Sequence, residues 1–498
     1  MPRKRKIRFV EPASRPGRPF NAWVSRQPLL GPLLLATILD RQGYDAAVYN
    51  ENLSGRLEEN SEAYSDVCAS DVVGISIMTP TAARGYELAR RIRRDSPATR
   101  VVFGGIHATF ASQEAQQYGH LVVRGEAESV IGPIAEGLIQ EGVIDSPALE
   151  NLDELPAPDY RLMRDFDRLL SQFPARGLYA LPVMASRGCP YSCSFCSVSR
   201  MFGRRVRRRS VEKTFEDIRN YVEQGFREFF FYDDNFTSDR DWTLHLLQLL
   251  QPLNIRFWAQ TRVDFAWRDH ARRQLDRALL ESMHKGGAST LYIGYETIDE
   301  TTAAAWRKGY RGAGPLRERL LEDTRILHEN GFWIHGMFVA GPKHTKKTVE
   351  EIVEFSREAR LDSFHLSILT PLPGTPLFEL MRPQLVFTNF PDDWDFYDGT
   401  HCVYYGARED ICVLQEAVLR AHRKFYRGYG WSLRRIRDVL GGRASLGARL
   451  RWAWSTAQTA RRTLQEWERE TQRFIEIATS RLSSYRPNLK PLPPTLSQ

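Results

Sequence analysis

Residues 187 to 196 read Arg187-Gly188-Cys189-Pro190-Tyr191-Ser192-Cys193-Ser194-Phe195-Cys196. The spacing C-x3-C-x2-C puts three soft thiolates on one short loop, and neither another Cys nor a His lies within about twenty residues on either side. Structural zinc needs a fourth ligand close by, whereas three thiolates suit an iron–sulfur cluster with one iron left open. The other three cysteines, Cys68, Cys402 and Cys412, lack ligand-like spacing and read as buried free thiols, with a second cluster on Cys402 and Cys412 as the alternative. Six Cys in 498 residues are too few for a disulfide scaffold.

Outward from this loop the chain alternates strands and helices. Short β-rich runs at 182–185, 228–232, 255–259, 290–294, 333–339 and 364–369 are separated by amphipathic stretches such as 211–224, where Phe215, Ile218 and Val222 share one face. Six βα units are too few for a closed eightfold barrel. Residues 181–383 are therefore expected to form an open, partial (β/α)6 TIM-type barrel with the cysteine loop at its carboxyl-end mouth. Residues 1–150 carry the same rhythm, with runs at 7–10, 46–49, 72–78, 101–103 and 121–123. They read as a Rossmann-like, doubly wound parallel sheet whose ligands sit outside the carboxyl ends of the strands. Residues 151–180, rich in Pro and Asp, read as an extended linker. Residues 384–498 read as a helical region in which Trp431, Trp452, Trp454 and Trp467 either close the cavity or pack on the barrel. The fold class is α/β.

Composition agrees with several folded domains: 42% of residues are hydrophobic, 26% are charged, and the net charge of +8 is a modest basic excess. The longest apolar run near the amino terminus, 29–39, is too short for a membrane span and is broken by Gly31 and Pro32. No export signal or span is read, and a reducing, cytoplasmic setting is expected.

The cysteine spacing, with Phe195 before the last Cys, resembles the signature of the radical S-adenosylmethionine superfamily. The resemblance implies a [4Fe-4S] cluster on Cys189, Cys193 and Cys196 and S-adenosylmethionine chelating the open iron. It also implies a 5′-deoxyadenosyl radical released by one-electron cleavage, with flavodoxin or ferredoxin as external donor. Within the same resemblance, Asp233 and Asp234 meet the methionine amino group and Arg262 pairs with its carboxylate. Glu296 accepts from ribose hydroxyls or the amino group, and Gly336 backs the adenine. Pro371-Leu372-Pro373-Gly374-Thr375-Pro376 matches the family's sixth-strand turn. Where the family continues Gly-Glu-Thr, this chain has Lys343-His344-Thr345, so His344 is given no role and is expected on a surface loop. The run from Arg204 to Arg209 resembles the family's connection from cluster loop to first helix, and nucleic acid is not expected as a partner.

In the amino-terminal part, Ser76-x-Met78 ends one strand and Gly104-Gly105 ends the next. Together with Gly105-Ile106-His107-Ala108-Thr109 and Arg124-Gly125-Glu126-Ala127-Glu128, they resemble the cobalamin-dependent radical S-adenosylmethionine class over about residues 6 to 380. Residues without bulk at Ser76, Gly104 and Gly105 leave room for the cofactor's nucleotide base, and His107 is a candidate contact to the corrin or its tail. The loop 11–30 holds no His to serve as axial ligand. The resemblance implies C-methylation of an unactivated carbon of a small molecule, such as a natural product, tetrapyrrole or lipid. It also requires Cys193 and Gly105 to face one interdomain cleft. Non-methylating rearrangement or oxidative cyclisation with the same cofactors is the alternative. Transfer-RNA methylthiolation would call for three cluster cysteines in residues 1–150, which hold only Cys68. A non-enzymatic cofactor carrier is the remaining class.

Overall fold

The computed structural model describes residues 4–15, 18, 27–173, 175–406, 410–427 and 446–484. β1 (Lys6–Glu11), β2 (Asp45–Asn50), β3 (Val72–Ser76), β4 (Arg100–Gly104), β5 (Leu121–Gly125) and β6 (Gly142–Ser146) form an all-parallel sheet in the order β2-β1-β3-β4-β5-β6. Val72, Val73, Ile75, Val101, Val102 and Phe103 are all buried, as expected of parallel strands covered on both faces. The chain crosses from β1 to β2 on one side and returns to β3 on the other. The loops after β1 and β3 therefore diverge, which opens the crevice where such sheets hold ligands. β6 adds a strand to those read from the sequence. Its side chains alternate between half-buried and exposed at the sheet edge, so it lacks the apolar run that marks the others.

The second sheet is built from β7 (Ala180–Val183), β10 (Glu228–Phe231), β11 (Arg256–Thr261), β12 (Ala288–Glu296), β13 (Trp333–Ala340) and β14 (Ser363–Ile368), while β8 (Ser186–Arg187) and β9 (Arg207–Arg208) form a small antiparallel pair. Its order is β14-β13-β12-β11-β10-β7, every pair parallel, with β7 and β14 left unjoined. This is the open six-stranded barrel. The β14 edge is closed by side chains of the helix Ile411–Arg427. Leu366 N donates to His422 Nε2 at 3.1 Å, and Tyr426 Oη accepts from Phe364 N at 3.1 Å and donates to Phe364 O at 2.8 Å. Side chains thus satisfy backbone groups that would otherwise invite another strand.

Two expectations are corrected. Residues 151–180 are not a free extended linker: Leu152, Leu155, Tyr160, Met163, Phe166 and Leu169 are buried, and Asp159 N donates to Thr37 Oγ1 at 2.9 Å. Pro and Asp there shape short 3-10 turns, Leu152–Glu154 and Tyr160–Leu162, that strap the segment to both sheets. Nor is the carboxyl-terminal region helical from 384 onward. Among the described residues, 385–405 hold one short 3-10 turn, Asp392–Phe396, and the isolated bridge Leu385–Tyr404; the described helices are Ile411–Arg427 and Leu446–Ser484. Trp467 packs on His422, ring centroids 4.4 Å apart. Trp431 and the side chains of Trp452 and Trp454 lie outside the described residues.

The carboxyl ends of the two sheets meet. Arg187, just past β7, donates to Glu126 at 2.5 Å and to Glu128 at 2.6 Å, both just past β5; Arg207 shares the Glu126 carboxylate, with one contact at 3.0 Å. Beyond β14, Gly374 lies so close to Phe110 beyond β4 that a Cβ would fall 2.2 Å from the ring. Tyr232, at the end of β10, donates to Gln27 in the loop after β1 at 3.1 Å. Within the Arg204–Arg209 run, Arg205 also reaches outside the barrel domain, to Glu150, while Arg209 pairs with Asp217 and Arg208 donates to Ser238 inside it.

Removing one partner of a buried charge pair costs about 3–5 kcal/mol because the other charge is left uncompensated. Glu126→Gln is therefore expected to lower the melting temperature by several degrees, and a melt within about one degree of the parent contradicts this. Burial alone would raise the Glu126 carboxyl, yet Arg207 and Arg187 hold it below its ordinary value of 4.5. Its contribution is complete above about pH 4.5 and is lost as pH falls through the depressed value, so the deficit of the variant should shrink in acid melts.

Candidate functional site

The three cysteines sit on the loop that follows β8, each a free thiol with part of its surface exposed. The loop is pinned at both ends. Gly188 N donates to Asp234 Oδ2 at 3.2 Å, Ser194 N donates to Trp306 O at 3.1 Å, and the Phe195 ring stands edge-on to Trp306 at 5.7 Å. Burial pushes all three thiols up, Cys196 to about 11, while Lys308 pulls Cys189 and Cys193 back. Among the described residues no three His, Cys, Asp or Glu side chains close tightly enough around a point for a single metal ion. Three thiols around one loop, with no fourth Cys or His beside them, fit a polynuclear iron–sulfur group better than zinc.

The residues expected around the methionine fall into two sets. Asp233 is completely buried and its carboxylate is already taken up: it accepts from Ala185 N at 3.1 Å and from Ser186 Oγ. It anchors the start of the cysteine loop, which corrects its expected role at an amino group. Asp234, the next residue, reaches the loop two residues further on, at Gly188. Burial raises both carboxyls to about 6. Arg262 is clamped by Asp264 through two contacts of 3.0 Å and lies 4.2 Å over the Tyr191 ring, with Tyr310 beyond. The fork assigned to a substrate carboxylate is thus already held by Asp264. Glu296 ends β12 with φ +58° and pairs with Lys308 at 3.1 Å.

Gly336 does not line the mouth. A Cβ there would fall 2.4 Å from Leu361 Cδ1, so it faces the covering helices, and its neighbours His335, Met337 and Val339 take the half-buried inner positions. His344 is not on the surface: its side chain is buried, Nδ1 accepts from Gly341 N at 3.0 Å, and its ring is parallel to Trp306. Burial lowers it to about 4. Trp306, Lys308, Tyr310 and Tyr191 are members of the site that sequence reasoning missed. The first three lie on the loop after β12, which has no motif spacing; only their aromatic and cationic character next to Glu296 could have marked them.

On the first sheet, Ser76 and Gly104 are register partners. A Cβ on Gly104 would meet nothing within 4 Å, whereas one on Gly105, with φ +90°, would fall 2.8 Å from Ile77 O. Gly104 therefore borders open space at the carboxyl edge, while Gly105 is needed by the turn itself. His107 has no surface for a cofactor: it is buried between Thr79, Glu114 and the edge of Trp394, centroids 5.0 Å apart. It packs the 391–397 segment onto the sheet instead of bordering the crevice. Cys68 and Cys412 are half-buried rather than buried, and Cys402 is buried. Cys402 Sγ bonds to Tyr404 O and Cys412 Sγ to Thr479.

Inside the barrel, Phe230, Trp258, Tyr292 and His335 form a wall. Tyr292 stacks on Phe230 at 4.9 Å, contacts His335 at 4.6 Å and Trp258 at 6.3 Å. Burial holds His335 at about 3 and His365 at about 4, so both imidazoles are neutral at pH 7.

Residues 183–356 match the model of the Radical SAM superfamily, and residues 25–134 match that of the B12 binding domain. The bacteriochlorophyllide d C-12(1)-methyltransferase of Chlorobaculum tepidum is 24% identical over 435 residues, covering 85% of this chain and 88% of its own. The hopanoid C-3 methylase of Methylococcus capsulatus is 26% identical over 445 residues, covering 83% of this chain and 79% of its own. Among solved structures, the radical S-adenosylmethionine methyltransferase TsrM from Kitasatospora setae, with cobalamin and [4Fe-4S] cluster bound, superposes with a TM-score of 0.61 at 18% identity over 85% of each chain; at that identity the likeness is one of fold. With a B12 binding domain followed by a radical SAM domain on this shared architecture, the chain belongs to the cobalamin-dependent radical S-adenosylmethionine enzymes.

Proposed function

We propose that the protein is a C-methyltransferase acting on an apolar, ring-rich small molecule held in the barrel lumen. The observation that carries this reading is the uncharged aromatic wall of Phe230, Trp258, Tyr292 and His335 beneath a three-thiol loop. Named relatives act on a bacteriochlorophyllide and a hopanoid, and flat or fused rings of either kind suit such a wall. When bound, the [4Fe-4S] cluster, S-adenosylmethionine and cobalamin supply one-electron cleavage and a transferable methyl group. The chain's own residues do the rest. Cys189, Cys193 and Cys196 hold the cluster, and the Asp234 contact to Gly188 sets their loop. Tyr191 and Tyr310 both contact Arg262, whose fork Asp264 holds in place, and the Lys308–Glu296 pair offers one cation and one acceptor beside it. Ser76 and Gly104 border the space for the cobalamin tail. An aromatic wall holds water poorly, which would protect a reactive carbon centre from quenching.

The direct test incubates anaerobically reconstituted protein with methyl-labelled S-adenosylmethionine, a low-potential donor such as flavodoxin, and either a tetrapyrrole or a polycyclic lipid acceptor. Labelled acceptor with both S-adenosylhomocysteine and 5′-deoxyadenosine is expected; 5′-deoxyadenosine alone contradicts methyl transfer. A pair of variants separates the two glycines. Gly104→Phe should leave the melting temperature unchanged and weaken cobalamin retention on a desalting column. Gly105→Ala should cost stability, by about 1 kcal/mol or more, from its left-handed φ and the contact with Ile77 O. Full cobalamin retention by Gly104→Phe contradicts its placement.

A further inference from the structure

We propose that Trp306 and His344 are a positioning pair for the iron–sulfur cluster: they brace the carboxyl half of the cysteine loop against the turn that follows β13. From Cys193 to Cys196 the chain is neither helix nor strand, and Trp306 grips it twice. The Trp306 carbonyl accepts from Ser194 N at 3.1 Å, and its ring meets Phe195 edge-on with centroids 5.7 Å apart. Ser194 and Phe195 are the two residues that separate these thiols, so holding them sets where Cys193 and Cys196 stand relative to each other.

The indole is held in turn. It is buried, it follows directly on the helix Glu300–Ala305, and its backbone N donates to Thr302 O at 3.0 Å. The His344 ring lies nearly parallel to it, with 19° between the planes and 6.1 Å between centroids. Gly341 and His344 close a tight turn by reciprocal bonds: Gly341 N donates to His344 Nδ1 at 3.0 Å, and His344 N donates to Gly341 O at 2.9 Å. A Cβ on Gly341 would fall 2.7 Å from Trp306 Cζ2, so the turn accepts the indole because residue 341 has no side chain. Thr345, the next residue, caps the helix Lys346–Glu358 and fixes the exit of the turn. A continuous path of contacts thus runs from the end of β13 through His344 and Trp306 to the cysteine loop. It gives a use to Lys343-His344-Thr345, the point where the chain departs from Gly-Glu-Thr. His344 supplies both the acceptor that closes the turn and the ring that supports the indole. Residues that orient ligands without touching the metal ordinarily change its retention by about ten- to a hundredfold when removed. This inference rests on the reading that Cys189, Cys193 and Cys196 hold the cluster.

The test is the rate at which the reconstituted full chain, kept anaerobic, loses iron to excess bathophenanthroline. The melting temperature and the electron paramagnetic resonance of the reduced cluster are recorded alongside. W306L removes both ring contacts and keeps an apolar side chain, whereas W467L removes a buried indole that packs on His422. Both should melt below the parent, but only W306L should lose iron faster, by at least about tenfold, with a broadened resonance. W306F restores an aromatic ring between Phe195 and His344 and should recover most of the parent's rate and line width. Two variants act on the support and leave the indole itself in place. G341A crowds it, and H344N keeps an acceptor for Gly341 N while removing the ring; each should speed iron loss severalfold, and they carry the test should W306L take up no cluster. Iron loss at the parent rate by W306L, G341A and H344N, or equal acceleration by W306L and W467L, overturns the positioning pair. C189A/C193A/C196A should take up no cluster; uptake like the parent's overturns the thiol reading and the positioning pair with it.

Discussion

Arg187 and Arg207 share the Glu126 carboxylate where water does not reach, each side chain about 4% exposed. A buried ionic cluster of this kind adds little net stability over well-packed apolar groups, but it tolerates only one arrangement. Here the arrangement is the docking of two separately formed sheets. Glu126 directly follows β5 and Arg187 directly precedes the cysteine loop, so the cluster ties the carboxyl edge of one sheet to the first strand end of the other. Phe110 against Gly374 does the same at the last barrel strand. These two contacts set the carboxyl edge of the first sheet against the carboxyl end of the barrel.

That junction explains several sequence features at once. The motif Arg124-Gly125-Glu126-Ala127-Glu128 and the arginine run after the cysteines are partners across the two domains. Neither has to be read as a surface for outside anions. The cis-acting use of Arg205, Arg207, Arg208 and Arg209 leaves the basic excess of the chain to the carboxyl-terminal stretch, where the described cations have few partners.

Strand positions and fold class were legible because alternating apolar runs and helical periods follow directly from which faces are covered. Side-chain direction was less so. Asp233 and Asp234 are equally plausible by motif, yet both lie past the end of β10, and only the folded chain shows Asp233 bonded to Ala185 and Ser186 and Asp234 to Gly188. Gly336 and His335, adjacent in β13, point to opposite faces. His344 and His107 look like loop residues because what buries them, Trp306 and Trp394, comes from remote segments. Lys308 and Tyr310 were invisible for the same reason. The edge strand β6 had too little apolar surface to announce itself, and the closure of β14 by His422 and Tyr426 is a tertiary pairing with no local signal.

The central requirement is that the two cofactor sites share one cleft. The most direct measurement is electron paramagnetic resonance of protein loaded with both cob(II)alamin and the reduced cluster, compared with protein loaded with each alone. Mutual broadening of the two signals in the doubly loaded protein is the expected result. A spectrum equal to the sum of the singly loaded ones would contradict a shared cleft.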